Sequence, residues 1–289
     1  MSSPPRRGVA TAQVLCAATL WAVNGVVARS LFRRAIEPTH LVEVRMLLGG
    51  LALLPLSAAR GSLRIGMRRW PPLVAYAFML AMVQLTYFEA IAMAGVAVAI
   101  FLQYTSPLLV AAFEAARARR LPPPPVRLAL LLAVVGSALL VLPGGPARVP
   151  LAGLAFGLAA ALSFALATLI AGSLRRRGLP ALPLLGWGLT LGSIVFWPSR
   201  SPAHALTAIA PADWPFFLYV ALLATALPFT LYASALAVLP GSVAMLLAML
   251  EPALAAVLAW AALGEVLSPT QIGGGLLILA AIVLAARAR

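Results

Sequence analysis

The sequence has very few of the residues on which soluble enzymes and metalloproteins depend. Its 289 residues include no lysine, one aspartate, two histidines and one cysteine, and only 10% are charged. Cys16 lies inside an apolar run, which excludes a disulfide within one chain and a cysteine-based metal site. His40 and His204 are too far apart in sequence to suggest a ligand cluster, and no Walker or zinc spacing occurs. We therefore predict no catalytic residue, metal or cofactor. An intramembrane enzyme that acts on lipid is the alternative class, and the sequence lacks the nucleophile that such an enzyme needs.

Apolar residues dominate what is present. They make up 63% of the chain, and the mean hydropathy is +1.03, whereas soluble chains are roughly 45–50% apolar and about 25% charged. At about 20 residues per crossing, 289 residues hold at most about ten or eleven membrane helices and no soluble domain. The composition predicts an all-α integral membrane protein whose chemistry lies within the bilayer.

Ten apolar segments can be separated at proline, glycine and arginine positions. They are too long for barrel strands and show no alternation, so we predict ten transmembrane helices. The predicted segments are 9–32, 39–59, 71–93, 96–117, 126–143, 151–174, 181–198, 214–237, 241–263 and 269–287.

The basic residues are distributed unevenly between the two sides of these segments. All 21 are arginines, and the net charge of +14 on a soluble protein would suggest nucleic-acid binding. Here fifteen arginines fall on the side of the N-terminus and five on the other side, with Arg45 inside the second segment. The positive-inside rule then places both termini in the cytoplasm, in a multi-pass inner-membrane protein that contacts the lipid bilayer and no nucleic acid.

The two halves of the chain resemble each other at an offset of 145 residues. This offset predicts two five-helix repeats, 1–145 and 146–289, within one integrated membrane domain. Because each repeat has an odd number of helices, the second enters the membrane inverted, an arrangement common in transporters and also found in channels. The collinear pairs are Gly8 with Gly153, Pro38 with Pro183, Tyr87 with Tyr232 and Pro107 with Pro252.

Several short motifs resemble the drug/metabolite transporter superfamily, in particular the EamA-like type with two five-helix repeats. The motifs are Leu20-Trp21-Ala22-Val23-Asn24, Arg45, Tyr104-Thr105-Ser106-Pro107, Leu250-Glu251-Pro252 and Leu263-Gly264-Glu265. The first repeat departs from the last motif, because Arg120 stands where Glu265 stands in the second. The resemblance implies export or exchange of small metabolites or drugs through a central cavity, and an aromatic amino acid exporter is the nearest type within the superfamily.

Ionisable residues inside the segments need partners or a water-filled cavity, because each costs about 2.5–3.5 kcal/mol on insertion scales. We predict that Arg45 pairs with Glu89, or with Glu43, to join neighbouring helices. Glu114 is expected to snorkel or to pair near Arg117 and Arg127. Glu251, near the middle of its segment, either hydrogen-bonds neighbouring helices beside the Pro252 kink or couples transport by binding a proton or a cation.

Uncharged polar and aromatic residues near mid-span are the predicted substrate-binding residues, because an amide or phenol that faces lipid would be unsatisfied. They are Trp21, Asn24, Gln84, Tyr87, Phe88, Gln103, Tyr104, Ser163, Phe164, Phe229, Tyr232, Met245 and Met249.

This predicted lining limits the substrate. We expect no arginine near the midplane, so a polyanion would find no counter-charge. Aromatic faces, amides and methionines suit a neutral or zwitterionic small molecule with an apolar part. We predict a secondary transporter that exports aromatic or hydrophobic amino acids by alternating access and functions as a monomer. The alternative is a proton-coupled exporter of lipophilic cations that uses Glu251.

Overall fold

A computed structural model describes residues 7–32, 37–141, 149–198, 201–263 and 268–287, and all regular structure in these ranges is helical. The first half of the chain contains α1 (Arg7–Phe32), α2 (Pro38–Ala59), α3 (Trp70–Gln103), α4 (Ser106–Ala118) and α5 (Pro124–Val141). The second half contains α6 (Leu151–Arg176), α7 (Ala181–Ser193), α8 (Pro202–Thr207), α9 (Trp214–Ala221), α10 (Leu227–Ala235), α11 (Gly241–Ala248), α12 (Leu250–Leu263) and α13 (Pro269–Arg287). Gly264 and Glu265 of the predicted Leu-Gly-Glu motif lie outside the described residues.

Seven segments of the described chain are long and apolar enough to cross a membrane. Two shorter apolar helices, Pro124–Leu140 and Ala181–Phe196, coincide with the predicted fifth and seventh segments. The 26-residue α1 coincides with the first. The chain is therefore a multi-pass membrane protein, while ten crossings stay a prediction. The seven segments are Thr39–Ala59, Met67–Gly95, Val98–Ala118, Leu151–Arg176, Pro211–Ala235, Gly241–Leu258 and Pro269–Arg287.

Interruptions in the helices occur at related places in the two halves. The backbone leaves helical geometry at Gly95, where φ is 82°, a value that favours glycine. Helical geometry is interrupted again between α3 and α4, just before Pro107, and between α11 and α12, just before Pro252. Because proline has no N–H, Pro107 and Pro252 cannot donate the helical hydrogen bond to the carbonyls of residues 103 and 248. Irregular backbone at membrane depth is tolerated only inside protein or beside a cavity, so these breaks point to one.

Close packing between the halves depends on small residues. Helix α2 packs on α7, α3 on α6, α5 on α13, and α1 on α10, α11 and α12. A Cβ added to Gly274 of α13 would lie 2.6 Å from the carbonyl oxygen of Gly136 in α5. Similar close contacts occur at Gly153, on Ala94, and at Gly188, on Tyr76. Glycine at these positions lets the neighbouring helices approach closely.

The bundle has two distinct ends. One end, which we call the terminal end, carries residues 60–69, 119–123 and 177–180, and there Arg69 donates a hydrogen bond of 2.9 Å to the carbonyl of Arg177. The opposite end, the far end, carries the beginning of α2 and the short α8, where a ring nitrogen of His40 lies 2.7 Å from the carbonyl oxygen of Ala205. These names describe position in the bundle only.

Candidate functional site

A central cavity of about 180 Å³ lies between the two halves of the chain. A single water needs only about 10–15 Å³, so this space is a chamber and not a packing defect. The lining positions of α1 and α2 lie in the halves of those helices that are nearer the far end. Nine of the predicted residues line it, namely Trp21, Asn24, Gln84, Tyr87, Phe88, Gln103, Tyr104, Phe164 and Phe229, and so do Arg45 and Glu251.

Four aromatic side chains separate this cavity from the terminal end. We call them the aromatic floor, and they are Trp21, Phe164, Phe229 and Tyr232. The Trp21 ring centroid lies 5.0 Å from that of Phe229 and 5.9 Å from that of Tyr232, and Phe164 lies 6.0 Å from Tyr232. The Tyr232 hydroxyl is 3.0 Å from the Thr168 hydroxyl. Below the floor the space shrinks to a void of about 10 Å³, which is too small to pass a substrate.

Arg45 has partners other than those predicted from the sequence. Its guanidinium Nε–H donates to the Thr225 hydroxyl at 2.8 Å, and Nη2 donates to the carbonyl of Ala224 at 3.4 Å. Both acceptors belong to a π-helical turn, Leu222–Ala226, between α9 and α10. The predicted pair with Glu89 or Glu43 is wrong, because a helix on the other half of the chain provides the acceptors.

The position of Arg45 also corrects the predicted charge of the cavity. Its side chain is only 5% exposed and yet lines the central space. The expectation that a substrate would find no counter-charge there is therefore wrong. A π-helical turn is rare and often marks a functional position, and here it provides the acceptors for the one arginine that lines the described cavity.

Glu251 joins the two halves at the break before Pro252. The Tyr104 hydroxyl donates a hydrogen bond of 2.6 Å to Oε2 of Glu251. Tyr104 stands at the corresponding break in the first half, between α3 and α4. The predicted interhelical hydrogen bond of Glu251 is therefore present, and the carboxylate also faces the cavity. Glu251 therefore both joins neighbouring helices and presents a carboxylate to the cavity.

Two amide side chains in the lining have polar atoms without a protein partner. Asn24 Oδ1 and Gln84 Nε2 are buried and make no hydrogen bond within the described chain. A buried polar group without a partner costs about 1–3 kcal/mol. One atom is an acceptor and the other a donor, so the cavity is prepared for a ligand or solvent that offers both.

Glu114 has a structural role that was not predicted. Its carboxylate accepts hydrogen bonds from the backbone N–H of Gly241 at 2.8 Å and of Ser242 at 3.4 Å, and from the Ser242 hydroxyl. It therefore caps the first turn of α11 from a helix of the other half. Pairing with Arg117 or Arg127 is not what the structure shows. This contact lies at the terminal end, beneath the aromatic floor.

Some predicted site residues do not line the cavity. Met245 and Met249 are each 1% exposed and pack in the core, and Ser163 is also buried away from the lining. Tyr232 lines the small void below. Glu43 is buried in α2 and Glu89 half-buried in α3, and neither lines the cavity. The lining residues that the sequence reasoning missed are the apolar Val83, Ile91, Ile100, Ala248, Pro252 and Ala255, for which only Pro252 gave a signal.

Comparisons with known proteins identify the family of this cavity-containing bundle. The inner membrane transporter YicL of Salmonella typhimurium is 29% identical over 94% of this chain and 93% of its own length. The threonine/homoserine exporter RhtA of Escherichia coli is 33% identical over 89% of this chain and 83% of its own length. A solved crystal structure shares the fold, with a TM-score of 0.81 and 21% identity over 97% of each chain. The model of the EamA-like transporter family matches twice, over residues 8–142 and 151–287. The chain is a membrane transporter and belongs to the EamA-like transporter family.

Proposed function

We propose that this protein exports small neutral or zwitterionic metabolites, and that amino acids are its principal substrates. The observation that carries the proposal is the central cavity, which combines aromatic faces, amide groups and two opposite charges in its lining. Aromatic side chains provide apolar contact area, and a few placed polar groups provide orientation, as in small-molecule sites generally. The relative RhtA is named a threonine/homoserine exporter, which supports amino acids as the class.

The preference within that class is a finer proposal. The rings of Trp21, Phe88 and Phe229 favour aromatic or hydrophobic side chains, as in an aromatic amino acid exporter. The likeness to RhtA favours smaller and more polar ones. We propose aromatic amino acids on the strength of the lining, with threonine and homoserine as the comparison substrates in every assay.

Transport is proposed to occur by alternating access between two inverted repeats, 1–145 and 146–289. Two features support this proposal: the family model matches each half separately, and the halves pack with α2 on α7 and α5 on α13, which join corresponding predicted segments. With both termini in the cytoplasm, the cavity on the far side of the aromatic floor would face outward. A monomer suffices, because one chain encloses the cavity.

The test is flux through liposomes that contain only this protein. Vesicles are loaded with labelled tryptophan, phenylalanine, threonine or homoserine, and we expect saturable efflux that is fastest for the aromatic substrates. Ala255→Trp places an indole in the cavity lining and should abolish the flux. Ala112→Trp, on an exposed position of α4, is the matched control and should not change it. No saturable flux of any amino acid would contradict the proposal.

The second candidate function is proton-coupled export of lipophilic cations. It is favoured by one observation, the Glu251 carboxylate facing an aromatic cavity at the middle of the bundle. A coupled exporter should respond when the pH gradient is collapsed with an ionophore, and Glu251→Gln should remove that response. Efflux of a lipophilic cation that is indifferent to the gradient, or no such efflux, would exclude this second function.

A further inference from the structure

We propose that the central cavity recognises the two charged ends of an α-amino acid separately. In this assignment Arg45 binds the carboxylate, and Glu251, held by Tyr104, binds the ammonium group. The inference rests on the proposed function and deepens it, because it names the residues that read each end of the substrate. It further assigns Thr225 as a positioning residue that acts through Arg45.

Protein acceptors satisfy only some of the N–H groups of the Arg45 guanidinium. A guanidinium has five N–H donors, and among the described residues only the Thr225 hydroxyl and the Ala224 carbonyl accept from it. Both acceptors are uncharged, and no carboxylate of the described chain lies within 4.0 Å of its nitrogens. A cation at membrane depth is stable only when it is paired or hydrated. The remaining donors therefore suit an anion that enters the cavity.

The geometry of these remaining donors favours a carboxylate. The Nε–H donates to Thr225, so Nη1 has no acceptor among the described residues and Nη2 has spare N–H capacity. Two neighbouring guanidinium N–H groups match the two oxygens of one carboxylate in a bidentate pair. Lysine would supply the charge without that fork, so the assignment distinguishes the two cations.

The second charged group of the site is Glu251. Its Oε2 accepts from the Tyr104 hydroxyl, and its Oε1 has no partner among the described residues. The Glu251 carboxylate and the Arg45 guanidinium line the same cavity. The cavity therefore carries one positive and one negative group, and a zwitterion is the ligand class that neutralises both.

The two unpartnered amides complete the arrangement. Gln84 Nε2 is a donor and suits a carboxylate oxygen, whereas Asn24 Oδ1 is an acceptor and suits an ammonium N–H. Gln84 is 5% exposed, so its free donor is deeply buried. Each charged end of the substrate would thus meet one charged and one amide group, while its side chain lies against the aromatic lining.

Thr225 holds Arg45 at a fixed angle to this site. Its side chain is fully buried in the π-helical turn, and its hydroxyl donates to the carbonyl of Val220 at 2.7 Å while it accepts from Arg45. In a regular α-helix a threonine hydroxyl bonds the carbonyl three or four residues back, whereas the Thr225 hydroxyl bonds the carbonyl five residues back, across the π-helical turn. The turn therefore aims a hydroxyl at Arg45, and the distance is set by the backbone.

The first test uses the unmodified protein and substrate analogues. Unlabelled tryptophan, tryptophanamide, tryptamine and N-acetyltryptophan compete with labelled tryptophan for efflux from proteoliposomes, and a threonine series is run in parallel. Loss of either charged end should weaken competition roughly 10-fold or more, because hydrogen bonds to charged groups contribute about 1.5–3 kcal/mol. If the amide and the N-acetyl compound compete as well as the amino acid, the inference is overturned. That outcome leaves amino acid flux intact and so differs from failure of the proposed function, in which no flux is seen.

The second test assigns each end to its residue. In Arg45→Gln the preference for the acid over the amide should disappear, while the preference for free amine over N-acetyl persists. Glu251→Gln should show the reverse pattern, and Arg45→Lys should retain part of the preference for the acid. Glu89→Gln, at an acid outside the cavity, is the control and should leave both preferences unchanged. Unchanged preferences in folded Arg45→Gln, checked by thermal unfolding, overturn the assignment.

Thr225 requires a readout that a purely structural role would not move. Thr225→Val removes the hydroxyl at nearly constant volume, and we expect KM to rise roughly 5-fold with Vmax unchanged, since one hydrogen bond contributes about 1 kcal/mol. Thr225→Ser restores the hydroxyl and should restore KM. A fall in Vmax with unchanged KM, or failure of the serine variant to rescue, contradicts the positioning role.

Discussion

The two ends of the central passage are built from different chemistry. On the far side of the aromatic floor the lining combines Arg45, Glu251 and two amides with unpartnered atoms. On the terminal side the rings pack edge to face, the Thr168 and Tyr232 hydroxyls bond each other, and Glu114 caps α11. One side leaves polar groups for a ligand, whereas the other satisfies them within the protein. The terminal side of this conformation is therefore closed by contacts that need no ligand, and the Trp21–Phe229 rings and the Glu114 cap are the ones that join the two halves there.

The largest expected effect is a difference in accessibility between these two sides. In a Cys16→Ala background, which removes the only native thiol, Gln103→Cys lies in the cavity and Ala171→Cys lies below the floor, where Ala171 is 2% exposed. We expect a membrane-impermeant maleimide to label residue 103 at least an order of magnitude faster than residue 171, because thiol reactivity requires exposure. Equal rates at both positions would contradict the closed floor.

The cap at Glu114 provides the next largest effect. Glu114→Ala removes the acceptor for Gly241 and Ser242, and loss of a helix cap costs about 0.5–2 kcal/mol. Because this contact joins the two halves, we expect labelling of Ala171→Cys from the terminal side to rise roughly 2- to 30-fold.

The control for this variant is Glu89→Ala, which changes a membrane acid outside both the cavity and the cap. It should leave the labelling of residue 171 unchanged. A rise of similar size in both variants would mean that removal of any buried acid loosens the bundle, and the contrast between the two ends would lose its explanation.

Helices α5 and α13 pack against each other at Gly136 and Gly274, outside both the cavity and the aromatic floor. A Cβ on Gly274 would lie 2.6 Å from the Gly136 carbonyl oxygen, whereas a Cβ on the adjacent Gly273 meets nothing within 4 Å. Gly274→Ala should lower stability by about 1–3 kcal/mol, since overpacking forces the backbone to move. Gly273→Ala should be neutral or stabilise slightly, through helix propensity.

Thermal unfolding in detergent measures both glycine variants, and thiol labelling is repeated on each. The ratio of labelling at residues 103 and 171 should stay the same in both variants. If Gly274→Ala changes the ratio as strongly as Glu114→Ala does, the conformation depends on global packing rather than on the contacts at the terminal end.

Sequence reasoning recovered the helices and much of the lining because both depend on local signals. Proline at positions 107 and 252 predicts the interruptions, and mid-span amides such as Gln84 and Gln103 have no stable position against lipid. What it could not recover depends on contacts between distant segments. The position of Arg45 within α2 predicts its depth in the membrane, but it does not predict that the side chain contacts Thr225, which is 180 residues away in sequence. The buried methionine Met249 illustrates a second limit, since its side chain fits a cavity wall and a packed core equally well.

The smallest effect concerns a single hydroxyl in the aromatic floor. Tyr232→Phe keeps the ring against Trp21 and Phe164 but removes the bond to Thr168, worth about 1 kcal/mol. We expect labelling at the floor to rise roughly 5-fold with the cavity unchanged, read at a cysteine placed at Ala171, which lines the void below. Thr168→Val removes the other partner and should give the same rise, and the double variant should add nothing, because the two changes delete one interaction. Additive effects would show that the two hydroxyls act through separate contacts, and the Thr168–Tyr232 bond would then not be the interaction that closes the floor.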